Sequence, residues 1–153
     1  MIKDDYHQRR LQAMQNTEYI RNICVIAHVY HGKTTLTDCL LSSNKIISKS
    51  LAGKLRFLDS REDEQEREIT MKSSSISLVH EHEKTKQDCL VNLIDSPGHV
   101  DFAFEVSSGL KVCDNAVLVI DVIEGACSQT YKVLNAAVKE GLKVILFINK
   151  IDK

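Results

Sequence analysis

Apolar residues along this chain gather into compact runs separated by amphipathic and polar stretches. NICVIAH (22–28), CLVNLID (89–95), NAVLVID (115–121) and KVILFIN (143–149) are apolar runs without clean alternation. That is the pattern of strands buried on both faces. MKSSSISLVHEHE (71–83) alternates weakly and predicts a strand with one wet face. TTLTDCLLSS (34–43) spaces Leu36, Leu40 and Leu41 as a helix does, and DFAFEVSSGLKV (101–112) and SQTYKVLNAAVKE (128–140) predict two more helices. Residues 4–16 predict a short N-terminal helix carrying Leu11 and Met14. Residues 44–70 show no sustained period, and eight of the ten residues from Asp59 to Glu68 are charged. Standing alone, such a run reads as a solvated loop.

Strand and helix alternate, which predicts an α/β fold with a mostly parallel sheet and helices on both faces. Ligands in such sheets bind beyond the carboxyl ends of the strands, so chemistry should follow the apolar runs. Composition narrows the classes further. With 153 residues and a net charge of −1, the chain is neither a basic DNA-binding module nor an acidic disordered tail. No apolar run nears the ~20 residues of a bilayer span, and MIKDDYHQRR is no secretory signal. One proline and six glycines are too few for a sandwich built on many turns. Cys24, Cys39, Cys89, Cys113 and Cys127 form no C-x-x-C pair, so they are expected to be inert, reduced thiols of a cytoplasmic protein. His80 and His82 lack a further ligand nearby in sequence and are expected to be solvated.

Three motifs follow the apolar runs. Ala27–Thr34 (AHVYHGKT) matches the phosphate-loop pattern G-x-x-x-x-G-K-[ST] with Ala in first place. Gly32 lets the backbone approach phosphate oxygens, Lys33 brings charge to the β- and γ-phosphates, and Thr34 offers Mg²⁺ a hard oxygen. Ala27, His28, Val29, Tyr30, His31 and Thr35 complete the nucleotide-binding segment. DSPGH (Asp95–His99) places Asp95 to hold Mg²⁺ through water and the Gly98 amide near the γ-phosphate. His99 has two readings, a residue beside the attacking water or a turn residue at a helix start. NKID (Asn149–Asp152) supplies a carboxylate that can accept two hydrogen bonds from guanine; adenine has no such donor pair. Asn149 would brace neighbouring loops, and the Lys150 stem would lie over the base. Together, in this order, the motifs point to a GTP site.

The string IRNICVIAHVYHGKTTLTDCLLSSN, with DSPGHVDFAFEVS and EGACSQT, resembles the translational GTPases of the elongation factor 2 type. LDSREDEQ (58–65) is more similar to the ribosome-biogenesis branch of that family. The resemblance implies a P-loop NTPase fold (Ras-like G domain) over 19–153, after an N-terminal extension at 1–18. It also implies that the fold is C-terminally incomplete, lacking its last strand and helix, with part of the sheet exposed and the isolated chain of low stability. It implies GTP/GDP and Mg²⁺ as ligands, with Thr34, Thr70 and Asp95 on the metal side. His99, Lys33 and Thr70 are the implied catalytic residues, within a switch segment running through Asp59–Glu68. The implied partners are the large ribosomal subunit and a maturation protein, with release of an anti-association factor as the outcome. A cytoplasmic monomer without membrane or DNA partners is expected. A translocation role is the alternative within the family.

Two positions depart from the family pattern. Tyr30 stands where the family carries Asp, and Glu68 where the nearest branch carries Gly. A phenol cannot replace a cation-coordinating carboxylate, and Glu68 adds negative charge beside a triphosphate. A like-charge pair at ~5 Å with an effective dielectric near 20 is unfavourable by about 3 kcal/mol. Weaker GTP binding, slower hydrolysis or a module that no longer hydrolyses would follow.

Overall fold

The computed structural model describes the backbone of residues 2–153 and the side chains from Tyr6 onward. Met1, the first residue of the expected 1–18 extension, lies outside the described residues. The elements are α1 (Ile2–Met14), β1 (Ile20–Ala27), α2 (Lys33–Ser43), α3 (Glu62–Arg67), β2 (Ser74–Glu81), β3 (Asp88–Asp95), α4 (Ala103–Lys111), β4 (Asn115–Asp121), α5 (Ser128–Lys139) and β5 (Lys143–Asn149). The five strands form one sheet in the order β2-β3-β1-β4-β5. β1 pairs in parallel with β3 and β4, and β4 with β5, while β2 pairs antiparallel with β3. The mostly parallel α/β fold read from the alternation is the observed one.

Alternate residues of β1 feed two cores, the consequence of the two-residue strand period. Cys24 and Ile26 pack with Val106 and Leu110 of α4 and with Val133 and Ala137 of α5. Val25 and Ala27 face the other way, against Leu41 of α2, Leu58, Leu78 and Leu93. Helices therefore cover both faces. β4 and β5 have the predicted limits, whereas β1 starts two residues earlier because Ile20 and Arg21 pair with Leu90 and Val91 of β3.

The fold corrects three expectations. α1 forms, but Leu11 and Met14 are exposed; the packing contacts come from Ala13, buried against Val79 and Leu90, and from Tyr6. Polar contacts help hold the helix, since the Tyr6 hydroxyl donates to the Ser77 carbonyl at 2.8 Å and Arg9 pairs with Asp88. The charged run is not a solvated loop throughout. It contains α3, and Asp59 and Glu64 within it are buried. Glu64 accepts from the backbone N–H groups of Arg61, Met71 and Lys72, so its carboxylate replaces the water a buried loop would lose. Finally, β5 is not buried on both faces as its apolar run predicts, since it is an edge strand with Ile145, Leu146, Phe147 and Ile148 exposed. The free thiol of Cys39 on α2 is exposed as well.

All five cysteines are free. A hydrogen bond with Cys113, together with burial, pushes the Cys24 thiol far above its ordinary range. His80 and His82 are exposed at the end of β2, as expected. Among the described residues, no helix is long and apolar enough to cross a membrane. β5 forms an edge of the sheet, and Ile145, Leu146, Phe147 and Ile148 along it are exposed.

Candidate nucleotide site

The carboxyl ends of β1, β3 and β5 bring the three motifs to one side of the sheet. After β1, the chain turns through Tyr30 at φ 63° and Gly32 at φ 92° before entering α2. Gly32 is required for two reasons. Its φ lies in the left-handed region, and a Cβ there would stand 2.2 Å from Asn149 Nδ2. That amide donates to the His31 carbonyl at 2.9 Å, so the loop after β5 braces the loop after β1. Lys150, itself at φ 59°, donates from Nζ to the Tyr30 carbonyl at 2.8 Å and pairs with Asp121 at the end of β4. The hydrogen bond from Lys150 holds the Asp121 carboxyl below the usual carboxylate range.

Around the cleft, His28, Val29, Gly32, Thr34, Thr35 and Thr70 line one hollow, with Arg56 and Glu68 on its loop side. Lys33, buried, also lines it, with Nζ 3.4 Å from Asp95 Oδ1. Thr34 Oγ1 and Thr70 Oγ1 are 3.3 Å apart, and Thr70 donates to Asp59 at 2.9 Å. The segment carrying Thr70 is tied down from α2 as well: the Asp38 carboxylate accepts from the Arg56 and Phe57 amides, while Arg56 pairs with Asp59. Gly98 closes against the phosphate loop, where a Cβ would lie 3.3 Å from the Ala27 carbonyl and the Val29 amide.

Asp95 is fully buried, and neither carboxylate oxygen accepts a hydrogen bond from a described residue. Burial raises its pKa above the carboxylate range; Lys33 opposes the rise and Asp59 adds to it. The Asp95 carboxylate and the hydroxyls of Thr34 and Thr70 are hard-oxygen donors, the chemistry that fits Mg²⁺.

Not every predicted residue reaches this hollow. The His31 side chain is buried elsewhere, towards Glu124. His99 caps the one-turn helix Val100–Phe102, accepting from the Asp101 amide at 3.3 Å, so its ring occupies the helix-start position. Asp152 sits in an exposed turn, not in the buried setting that strict discrimination for guanine calls for. Asp38 and Arg56 carry no motif that singles them out in the sequence, and Asp59 is marked there only as the start of the charged run, not as a buried partner of Thr70. Asp38 reads as an ordinary polar position of a helix, and its buried role depends on a loop that returns to it.

This fold and cleft define a phosphate-loop nucleotide-binding domain. The family described as Elongation factor Tu GTP binding domain matches residues 18–153, and the chain belongs to that family. Among curated relatives, it is 59% identical over 146 residues to human Elongation factor-like GTPase 1, covering 95% of this chain and 13% of that protein. It is 55% identical to Ribosome assembly protein 1 of Saccharomyces cerevisiae, covering 95% of this chain and 14% of that protein. Elongation factor 2 of Methanococcoides methylutens is 51% identical, with 95% of this chain and 20% of that protein covered. The crystal structure of a protein from Thermus thermophilus superposes with a TM-score of 0.76 at 24% identity, covering 88% of this chain and 20% of that one. That likeness bears on the fold alone.

Proposed function

We propose that this chain is the guanine-nucleotide domain of a GTP-hydrolysing switch that acts on the large ribosomal subunit during its cytoplasmic maturation. The observation that carries the reading is the pairing of Thr34 and Thr70 hydroxyls 3.3 Å apart in a cleft also lined by Lys33, whose Nζ lies 3.4 Å from Asp95 Oδ1. Two loops distant in sequence meet there with the oxygen and cation chemistry that a Mg²⁺–triphosphate needs.

The backbone from His28 to Gly32 would hold the phosphates, with the start of α2 directing its amides at them. Lys33, freed from Asp95, would offset charge on the β- and γ-phosphates. Thr34, Thr70 and, through water, Asp95 would hold Mg²⁺, which would supply Lewis-acid stabilisation of charge on the phosphate oxygens. Asn149 would keep the phosphate loop in place, Lys150 would cover the base, and Asp152 would read guanine. His99 would place the attacking water after leaving its cap on the Asp101 amide. That movement gives a reason for slow hydrolysis until a partner engages the domain.

Relatives named for ribosome assembly and for elongation support the ribosomal direction. The biogenesis branch, with a maturation protein as partner and release of an anti-association factor, is preferred on LDSREDEQ. The protein would act as a monomer. A second reading, retained binding with impaired hydrolysis, draws on Tyr30 and Glu68. Both line the cleft, and both have left-handed φ, 63° and 55°.

Single-turnover hydrolysis of GTP by the purified chain, with and without large ribosomal subunits, tests the proposal. Stimulation by the subunits is expected, with Tyr30→Asp faster than the parent chain. GTP binding without hydrolysis in either protein would establish the second reading. Displacement of a fluorescent GTP analogue by ATP as effectively as by GTP would remove Asp152's assignment.

A further inference from the structure

The phosphate loop uses its backbone for one task and two of its side chains for another. His28 and His31 stand three residues apart on that loop; Glu124 and Cys127 stand three residues apart on the connection from β4 to α5. The fold sets these pairs face to face. One ligating atom each from His28, Glu124 and Cys127 falls within 4.8 Å of the others. His31 is fully buried beside them, with Nε2 3.1 Å from Glu124 Oε2 and 3.9 Å from Cys127 Sγ. The two imidazoles meet edge to face at 5.1 Å, and Nδ1 of each is buried without a hydrogen-bond partner.

We infer that His28, Glu124 and Cys127 form a site for a borderline-soft divalent transition metal, zinc being the best match, with His31 holding the Glu124 carboxylate in place. An imidazole, a thiolate and a carboxylate are the donor types zinc takes, at about 2.0–2.3 Å. Tetrahedral bonds of those lengths put neighbouring donor atoms about 3.3–3.6 Å apart. The observed spread of 4.8 Å closes by side-chain rotation, because Glu124 is half exposed and Cys127 only partly buried. A ligating carboxylate is ordinarily held by a hydrogen bond from outside the metal's own ligands, and His31 supplies one. The thiolate separates this site from the magnesium chemistry of the nucleotide cleft, where the donors are all oxygen. On binding, the Cys127 thiol releases its proton to solvent as the metal–sulfur bond forms. The metal would tie the phosphate loop to the start of α5.

Cobalt(II) titration of the purified chain, with a phosphine reductant and excess Mg²⁺, tests this. One equivalent is expected to give a thiolate-to-cobalt charge-transfer band and the visible bands of a tetrahedral ion, both bleached by zinc. Cys127→Ser should abolish the charge-transfer band, and Glu124→Gln should weaken cobalt binding by about tenfold or more. Cys39→Ala, at the exposed thiol, should leave both unchanged. A parent chain that gives no band overturns the inference and leaves a purely hydrogen-bonded cluster. A charge-transfer band that survives Cys127→Ser overturns it as well. Should Cys127→Ser fail to fold, cobalt affinity unaltered by Glu124→Gln overturns the inference equally.

Discussion

Asp95 shows at the scale of one residue how a buried carboxylate opposes stability. Its carboxylate is fully buried, accepts no hydrogen bond from a described residue, and has Lys33 Nζ at 3.4 Å. A buried charge so thinly compensated is unfavourable. Its pKa is raised in the fold, so the folded chain binds this proton more tightly than the unfolded one. The charge therefore begins to oppose folding as pH rises from the unfolded carboxylate value through the folded one. Asp95→Asn is expected to raise the melting temperature of the nucleotide-free chain at neutral pH, with the gain shrinking in acid. The same change should slow Mg²⁺-dependent GTP hydrolysis by about 10²-fold or more. Calorimetry across pH and single-turnover kinetics check the two halves separately.

Elements decide where the departures from the family pattern matter. Glu68 ends α3 in the left-handed conformation, with its amide donating to the Glu64 carbonyl, a position that glycine fills without strain. Glu68→Gly should stabilise the chain by about 1 kcal/mol and strengthen GTP binding by removing a charge from the cleft. Urea midpoints and a fluorescent-GTP titration read these effects. At the other end of the molecule, α1 is fastened partly by Arg9 on Asp88, whose carboxyl is held below its ordinary range by the guanidinium hydrogen bond. A depressed carboxylate pKa contributes stability above the unfolded value, and that contribution is lost as pH falls through the folded value. Arg9→Ala should therefore loosen α1 at neutral pH by less than about 1 kcal/mol and make little difference well below pH ~4. Amide hydrogen exchange in Ile2–Met14 at two pH values measures this.

Across the whole molecule, the two faces of the sheet are unequally protected towards its edges. α1 packs over part of β2 and β3, whereas Ile145, Leu146, Phe147 and Ile148 of β5 are exposed along the opposite edge. An apolar edge strand with free backbone groups is a template for pairing between chains. Leu146→Lys should lower concentration-dependent light scattering of the purified chain while leaving GTP binding intact. A scattering profile identical to the parent's would show that this edge does not drive association.

What can be read from the residues alone is whatever depends on short-range pattern. The limits of NAVLVID and KVILFIN are legible because an unbroken apolar, β-branched run is a local strand signal. The burial that such a run implies holds for NAVLVID and not for KVILFIN, whose apolar side chains from Ile145 to Ile148 lie exposed on the edge strand. The phosphate loop, Asp95 and the Asn149–Asp152 string are legible because a strand end followed by fixed residue types is a local signal. The face of α1 is not, because its helical spacing singles out Leu11 and Met14, yet the contacts fall to Ala13 and Tyr6 once β2 and β3 are in place. The burial of Glu64 and Asp59 cannot be read from a charged run, since it depends on backbone groups of Arg61, Met71 and Lys72 and on Thr70 returning to them. The meeting of His28 and His31 with Glu124 and Cys127 spans more than ninety residues of sequence. The sequence by itself determined the alternation of elements and the place of the phosphate-loop motif after the first strand, because both depend on neighbours a few positions apart. Only the tertiary structure decided which charges are buried and which distant loops share a site, because those follow from the sheet order β2-β3-β1-β4-β5 and the register of its pairs.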